Sequence, residues 1–286
     1  MNGVSQLKLA VLVEDSKNNE NLHLTAKHGL SLLAEAKRGS LKLKILIDAG
    51  PPIDSALKNA YAMGIDLKNI DAIFITHGHY DHVGGLPEIL KVIDHPTPVV
   101  AHPQIFHPKL ILKPKLRYVG PNFDESTLKA NGGTPVLSRD PVDIMDGVST
   151  SGEIIRETPF ETVSGFWTLD NGRLVKDLML DDQALYVKVE GKGLVIISGC
   201  AHAGIVNTIR QAKKISGLNQ IYAIIGGLHL STSDDERIRK SVDEIERVAP
   251  EVIYPCHCTG LKAISFLLEI FENRCIPIRT GDTVKL

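Results

Sequence analysis

The segment 77–82 reads His-Gly-His-Tyr-Asp-His and brings four potential metal ligands within six residues. It directly follows the run 71–76, whose central Ile-Phe-Ile predicts a short buried strand. A glycine after the strand disfavours continuation into a helix, so we expect the ligands on a loop. On such a loop the first two histidines point the same way and can hold one ion, while the aspartate and the last histidine turn towards a second. The candidate ligands are His77, His79, Asp81 and His82.

The chemistry of these side chains predicts a centre with two divalent metal ions. Zinc accepts imidazole nitrogen and carboxylate oxygen at about 2.0 to 2.2 Å, and two ions about 3.5 to 4 Å apart can contact both the attacking and the leaving oxygen of a displacement. We expect zinc, with manganese or iron as alternatives. A histidine run that binds metal only incidentally is the competing interpretation. The following Gly-Gly-Leu-Pro at 84–87, which predicts a helix reaching about Val92, favours the built site.

Three later apolar runs repeat this design, because each ends in glycine or proline and then delivers a histidine. The runs are 193–202, 221–229 and 252–257, and their histidines are His202, His229 and His257. Strands that end at one edge of a sheet bring such residues together, so we expect all three near the first cluster. Any one of them alone is more typical of a structural histidine. A helix is predicted after each run: from 205 to about 215, after a cap at Ser231 or Ser233, and up to about Phe271.

This combination of motifs resembles the metallo-β-lactamase superfamily from Ile45 to the end of the chain. The resemblance implies an α/β (α+β) fold, a four-layer αββα sandwich of two mixed sheets with helices outside and metals at one edge. It also implies that Leu-Ile-Asp-Ala-Gly at 46–50 is the early strand whose aspartate, Asp48, supports the ligand loop without binding metal. An ordinary turn aspartate is the alternative interpretation of Asp48.

The sequence departs from the superfamily at two ligands. Cys200 occupies the strand end where the family carries a bridging aspartate, and no histidine lies near 151–153, where the family's middle histidine is expected. We expect His202 to supply that imidazole and Cys200 to bind at or near the bridging position, a buried non-ligating thiol being the alternative. His257 is then the final ligand. His229 is left for substrate binding or for proton donation to the leaving group.

The segments 198–208, 226–230 and 257–260 resemble a narrower branch of the superfamily. This branch is named dihydropteroate synthase-like, or 7,8-dihydropterin-6-methyl-4-(β-D-ribofuranosyl)aminobenzene 5′-phosphate synthase-like. The resemblance extends to Val-Leu-Val-Glu at 11–14 and Lys-His-Gly-Leu at 27–30. Cys256 and Cys258 flank His257 and are interpreted as neighbours of the site, since no second cysteine pair stands at zinc-finger spacing.

Composition predicts one globular enzyme domain over residues 1–286. The chain is 43% hydrophobic, which suffices for a sizeable core, and its net charge is −2, from 32 basic and 34 acidic residues. The sequence has no block of basic residues of the kind that binds duplex nucleic acid, so we do not expect such a partner. It has no apolar stretch of about 20 residues and no signal-peptide pattern, so we expect neither a membrane span nor secretion. Four cysteines, three of them near the predicted site, are typical of a reducing cytoplasm. The sequence leaves the oligomeric state open.

Residues 102–150 differ in composition from the rest of the chain, because prolines interrupt them and 122–133 is polar. We therefore predict a loop-rich insertion or lid with no packed helix. Basic residues of this lid could contact a small anionic substrate, phosphorylated or a pterin; a solvated basic face is the alternative. The candidate substrate-binding residues are Lys109, Lys113, Lys115 and Arg117 in the lid, with Thr259 beside the last histidine. Further strands are predicted near residues 7–13, 31–34, 43–47, 153–156, 184–189 and 275–278.

Three functions compete. The first is a metal-dependent hydrolase of a small phosphoester or phosphodiester, in which the ions lower the pKa of a bridging water from about 15.7 towards 7 and Asp81 orients the nucleophile. The second is the pterin-branch transferase, in which metal activates a diphosphate leaving group. The third is a non-catalytic metal-binding or ligand-sensing protein. The complete first cluster disfavours the third function.

Overall fold

A computed structural model describes residues 3–286 of the protein, which contain seventeen strands and seven α-helices. In chain order the strands are β1 (Gln6–Val13), β2 (Ser31–Arg38), β3 (Leu41–Ile47), β4 (Ala72–Phe74), β5 (Thr97–Ala101), β6 (Leu110–Ile111), β7 (Arg117–Tyr118), β8 (Gly133–Leu137), β9 (Asp143–Met145), β10 (Val148–Thr150), β11 (Phe166–Asp170), β12 (Arg173–Lys176), β13 (Ala184–Val189), β14 (Gly193–Ser198), β15 (Ile221–Gly226), β16 (Val252–Pro255) and β17 (Thr283–Lys285). The α-helices are α1 (Ser55–Ala62), α2 (Tyr80–Val83), α3 (Leu86–Val92), α4 (Glu125–Ala130), α5 (Ile205–Ser216), α6 (Asp235–Val248) and α7 (Leu261–Phe271).

Two mixed sheets form the centre of the molecule. The first has seven strands in the order β17-β1-β2-β3-β4-β5-β8, antiparallel up to β3 and parallel from there. The second has six strands in the order β16-β15-β14-β13-β10-β9, of which β14, β15 and β16 are parallel. Helices α5 and α6 connect these three parallel strands, as a parallel pair requires a crossover.

Three apolar cores hold four layers together. The middle core joins the facing surfaces of the two sheets, for example Val11 and Ile45 of the first with Val195 and Ile225 of the second. A second core packs α1, α3 and α4 on the outer face of the first sheet, and a third packs α5, α6 and α7 on the outer face of the second. The predicted αββα sandwich with helices outside is therefore confirmed.

A third, small sheet was not predicted. It has four strands in the order β12-β11-β6-β7 and is built from 110–118 and 166–176. The prediction of a loop-rich 102–150 is wrong in part, because β8 and β10 belong to the two large sheets. Helix α4 lies where no packed helix was expected; Asp124 caps it by accepting a hydrogen bond from the Thr127 N–H, and Leu128 is buried.

Other predicted boundaries also need correction. Residues 153–156 form no strand, and the Glu153 carbonyl accepts a side-chain hydrogen bond from Gln211 instead of a ladder bond. The predicted strand at 275–278 is reduced to an isolated bridge between Cys275 and Ile253. Helix α6 takes its cap from Asp234, whose carboxylate accepts a hydrogen bond from the Arg237 N–H, and not from either predicted serine.

Among residues 3–286, no helix combines the length and the apolar character needed to cross a membrane. The single domain over residues 1–286 stays a prediction, and its first two residues lie outside the described part of the chain.

Candidate metal centre

The candidate site lies where strands of both large sheets end. The loops after β3, β4, β14, β15 and β16 meet there, which explains how residues far apart in sequence come together. Four non-glycine residues at these ends adopt left-handed backbone, with φ of 57° at Asp48, 55° at Ala201, 48° at His229 and 50° at His257. Each such residue costs on the order of 1 kcal/mol or more, and such strain clusters at functional sites.

His77, His79 and His202 form what we call the three-histidine group. Their ligand nitrogens lie within 4.8 Å of one another, and all three side chains are buried. His77 Nε2 lies 3.0 Å from His79 Nδ1. Within residues 3–286, His79 Nε2 and both ring nitrogens of His202 have no hydrogen-bond partner. A buried polar atom without a partner costs about 1 to 3 kcal/mol, so this arrangement fits atoms that bind a metal ion.

The electrostatics of the three-histidine group also suit metal ligation. Burial, together with the neighbouring histidines, holds the pKa values of His77, His79 and His202 well below the ordinary value for histidine. The imidazoles are therefore neutral at pH 7, which is the form that coordinates metal.

Asp81, His82, His257 and Cys200 form a second cluster, which we call the mixed group. Asp81 Oδ2 lies 3.9 Å from His82 Nε2 and 3.6 Å from His257 Nε2. The Cys200 Sγ lies 3.2 Å from His82 Nε2. Cys200 also lies within 4.8 Å of ligand atoms of His77 and His82, so its sulfur stands between the two groups. A bridging role for Cys200 stays a prediction.

Carboxylates orient the two imidazoles of the mixed group. Asp48 Oδ2 lies 2.6 Å from His82 Nδ1, and Asp48 also accepts hydrogen bonds from the Thr76 N–H and hydroxyl. Asp15 Oδ1 lies 2.7 Å from His257 Nδ1. In both histidines Nε2 is thereby left to face a metal. Asp48 thus lies in the supporting position proposed from the sequence, without facing the cavity.

A buried ion-pair network supports the loop of the three-histidine group. The Gly78 N–H, between its first two histidines, donates to Asp181 Oδ2 at 2.8 Å. Lys109 Nζ lies 2.8 Å from Asp181 Oδ1 and 3.2 Å from Asp177 Oδ2. Lys109 is only 1% exposed, so the prediction that it serves an anionic substrate is wrong. Its ammonium is paired with these two buried carboxylates and is therefore not available to a substrate at the surface of the lid.

The small sheet covers a cavity of about 330 Å³ in front of both groups. Phe166 of β11 lies 4.8 Å from the His79 ring and 5.1 Å from the His202 ring, between centroids. Arg117 of β7 and His229 also line the cavity. The His229 ring lies 4.0 Å from the His202 ring between centroids, tilted by 51°, and His229 Nδ1 has no hydrogen-bond partner in the described chain.

Two other predicted substrate-binding residues lie elsewhere. Lys113 and Lys115 are exposed and, within the described residues, do not line the cavity. Thr259 is fully buried, and its hydroxyl accepts a hydrogen bond from the Leu228 N–H. Thr259 thus joins two strand-end loops, and its predicted contact with substrate is corrected to a structural one.

Comparisons with known proteins identify the family. The metallo-beta-lactamase superfamily model matches residues 38–168. The 7,8-dihydropterin-6-methyl-4-(beta-D-ribofuranosyl)-aminobenzene-5'-phosphate synthase of Methanocaldococcus jannaschii is 37% identical over 290 aligned residues, covering 99% of this chain and 97% of that protein. The chain belongs to the metallo-beta-lactamase superfamily. Its predicted resemblance to the synthase-like branch is confirmed by this match along the whole chain.

Two further relatives agree with this family. A solved structure of a metal-dependent hydrolase of the beta-lactamase superfamily superposes with a TM-score of 0.81 at 30% identity, covering 98% of this chain and 99% of that chain. The probable metallo-hydrolase YflN of Bacillus subtilis is 28% identical, over 80% of each protein. The protein is therefore an enzyme, of either hydrolase or transferase type, as expected.

Sequence reasoning assigned no role to some residues at this superfamily site, although the segments 11–14 and 27–30 were part of the resemblance. Asp15 and Glu14 follow β1, and Glu14 Oε1 accepts a hydrogen bond from the His257 N–H at 2.8 Å. The exposed His28 lies 3.0 Å from Asp15 Oδ2 and 3.3 Å from Asp81 Oδ2. An acidic pair directly after an apolar strand was the available signal, but only the folded chain brings it to a histidine more than 240 positions away.

Proposed function

We propose that the protein is a two-metal hydrolase of a small phosphoester or phosphodiester. The observation that supports this most is the pairing of two ligand clusters, the three-histidine group and the mixed group, with Cys200 between them at the floor of one cavity. The two groups together offer more donor atoms than a single structural ion requires, and two ions held there would be able to polarise a phosphoryl group and activate water.

The donor atoms fit zinc, the metal we propose. Bound divalent ions would supply a water of lowered pKa and would polarise a phosphoryl oxygen. Asp81 has one oxygen between the two imidazoles of the mixed group and orients the nucleophile. His229 faces the same cavity with an unpartnered ring nitrogen among the described residues, and it donates a proton to the leaving oxygen.

The cavity dimensions and its charge support a small anionic substrate. Arg117 is an exposed cation of the cavity wall, in contrast to the buried Lys109. Its planar guanidinium suits a second phosphate oxygen or a carboxylate.

The free thiol state of all four cysteines supports the cytoplasmic location proposed from the sequence.

Turnover of bis(p-nitrophenyl) phosphate tests this proposal. Protein reconstituted separately with zinc, manganese and iron should release p-nitrophenol. Asp81→Asn should lose that release, because the substitution removes both a metal ligand and the carboxylate oxygen that orients the nucleophile. Asp140→Asn, an exposed carboxylate away from the site, is the matched control and should turn over normally. Absence of turnover in a wild-type protein that holds two ions would count against a phosphodiester hydrolase.

The second candidate is transfer of the whole dihydropterin-6-methyl unit to a ribofuranosylaminobenzene phosphate. The synthase relative favours it, and so does a second cavity of about 350 Å³ that shares Phe166, His202, His229 and Thr232 with the first. Two cavities that meet at the metal ligands suit two organic partners. Arg237 lines the second cavity, and its Nε has no hydrogen-bond partner within residues 3–286.

A two-substrate assay separates the candidates. A transferase should release diphosphate from the dihydropterin-methyl diphosphate only when the aromatic phosphate is also present. Arg237→Ala should then raise the KM for the aromatic phosphate and leave bis(p-nitrophenyl) phosphate turnover unchanged. Diphosphate release at the same rate with water alone would favour the hydrolase.

A further inference from the structure

A second thiol lies beside the mixed group and has no role in the function proposed above. The sulfur of Cys258, the sulfur of Cys200 and a ring nitrogen of His257 lie within 4.8 Å of one another. Cys258 lines the cavity, and its thiol donates to the Cys200 carbonyl oxygen at 3.6 Å. Two sulfurs and an imidazole therefore meet at one corner of the metal centre.

The surrounding backbone leaves room for this sulfur. Gly227 stands opposite it, after β15, and a Cβ built there would lie 2.6 Å from the Cys258 Sγ. A side chain at 227 would meet this thiol and also the Gly199 carbonyl oxygen, 2.4 Å from the same Cβ, so the close approach of the two strand-end loops requires glycine there. The cysteine on the other side of His257 behaves differently, because Cys256 is buried in the middle core between the two sheets. The chain leaves the extended conformation after Cys256, with φ of 50° at His257 and a 3-10 turn over His257–Thr259, and one flanking thiol therefore lies in the core and the other at the cavity.

We propose that Cys258 is an additional ligand of the ion in the mixed group, so that this ion is held by two thiolates. The proposal rests on the two-metal centre proposed above. On binding, the Cys258 S–H bond breaks, its proton passes to solvent water, and the sulfur forms the bond to the metal, at about 2.3 Å for zinc. Thiolate ligands select zinc or iron over manganese and magnesium, so this corner sets the metal preference of the enzyme.

Cobalt titration of the metal-free protein tests the proposal, because thiolate-bound Co²⁺ has a near-ultraviolet charge-transfer band and Co²⁺ bound only by nitrogen and oxygen lacks it. The wild-type protein should show the band, Cys258→Ser and Cys200→Ser should each lose part of it, and the double variant should lose all of it. Cys256→Ala is the matched control and should keep the wild-type band. Full wild-type intensity in Cys258→Ser would overturn the proposal.

Two further measurements keep the test independent of folding defects and of activity. In the wild-type protein, zinc should protect the partly exposed Cys258 from alkylation by iodoacetamide, as mapped by mass spectrometry; equal alkylation with and without bound zinc would overturn the proposal. In a folded Cys258→Ser protein, zinc affinity should fall more than about tenfold while manganese affinity changes little. A wild-type protein with the sulfur band but no phosphodiester turnover would refute the hydrolase and leave the thiolate ligand standing.

Discussion

The two halves of the metal centre are held in different ways. In the mixed group, each imidazole contacts a carboxylate through Nδ1, Asp48 for His82 and Asp15 for His257. In the three-histidine group, His202 has no partner among the described residues at either ring nitrogen. The mixed group is therefore oriented by charge before any metal binds. The three-histidine group is positioned by its loop backbone, which the Lys109–Asp181 ion pair supports, and three of its nitrogens, His79 Nε2 and both of His202, have no partner among the described residues.

The carboxyl groups next to the two halves also differ in their pKa. The hydrogen bonds and positive charge of His257 and His28 outweigh burial and lower the pKa of Asp15 well below its usual range. Burial raises the pKa of Asp182, whose Oδ2 accepts a hydrogen bond from the Ala203 N–H next to His202. His257 thus contacts a stabilised anion, whereas the backbone next to His202 contacts a carboxyl that resists ionisation.

Metal removal should have the largest effect, because it leaves His79 Nε2 and both ring nitrogens of His202 buried without a partner in the described part of the chain. At a free metal concentration near a thousand times Kd, each ion adds about 4 kcal/mol to the free energy of unfolding. Chelation should lower the melting temperature by roughly 10 °C, and zinc should restore it. Calorimetry with and without EDTA measures this. An unchanged melting temperature would break the comparison, since the unpartnered histidines would then need no metal.

Lys109→Met tests the support of the same half. It leaves Asp177 and Asp181 buried without their cation, which should lower the free energy of unfolding by about 3 to 5 kcal/mol. Urea denaturation measures the loss, with Lys115→Met as an exposed control in the same segment. A loss no larger than that of the control would show that the ion pairs do not hold the loop.

Asp182→Asn sharpens the contrast in charge. Burial raises the pKa of Asp182 from 3.8 to about 6, so the folded state favours the protonated form. The resulting stabilisation is complete below about pH 4 and is lost as the pH rises through about 6, a change of about 3 kcal/mol. The asparagine variant should lose this part of the pH dependence in urea titrations from pH 4 to 7. Identical pH profiles in the two proteins would contradict the raised pKa.

Asp48→Asn and Asp15→Asn should have the smallest effect, limited to the mixed group. Each loses the carboxylate that orients one imidazole, which should weaken metal affinity by about 10- to 100-fold at one of the two sites. Chelator competition measures the affinity of each site. Equal weakening of both sites would mean that the halves are coupled and not separately supported.

The sequence was sufficient for the parts of the site that are local or periodic. His77 to His82 are contiguous, and the runs before His202, His229 and His257 have the apolar pattern of buried strands, so their meeting at one edge could be predicted. The resemblance supplied the layer order. Asp15, Phe166 and Cys258 could not be assigned, because their roles depend on contacts between loops with no periodic signal. Lys109 was misplaced for the same reason, since its carboxylate partners lie about 70 residues away.

Metal stoichiometry in single-ligand variants tests the central claim most directly. By inductively coupled plasma mass spectrometry, wild-type protein saturated with zinc and freed of excess should hold two ions per chain. His79→Ala should keep the ion of the mixed group, His257→Ala should keep that of the three-histidine group, and the double variant should hold none. One ion in the wild type, or loss of both ions in each folded single variant, would contradict two separately supported sites.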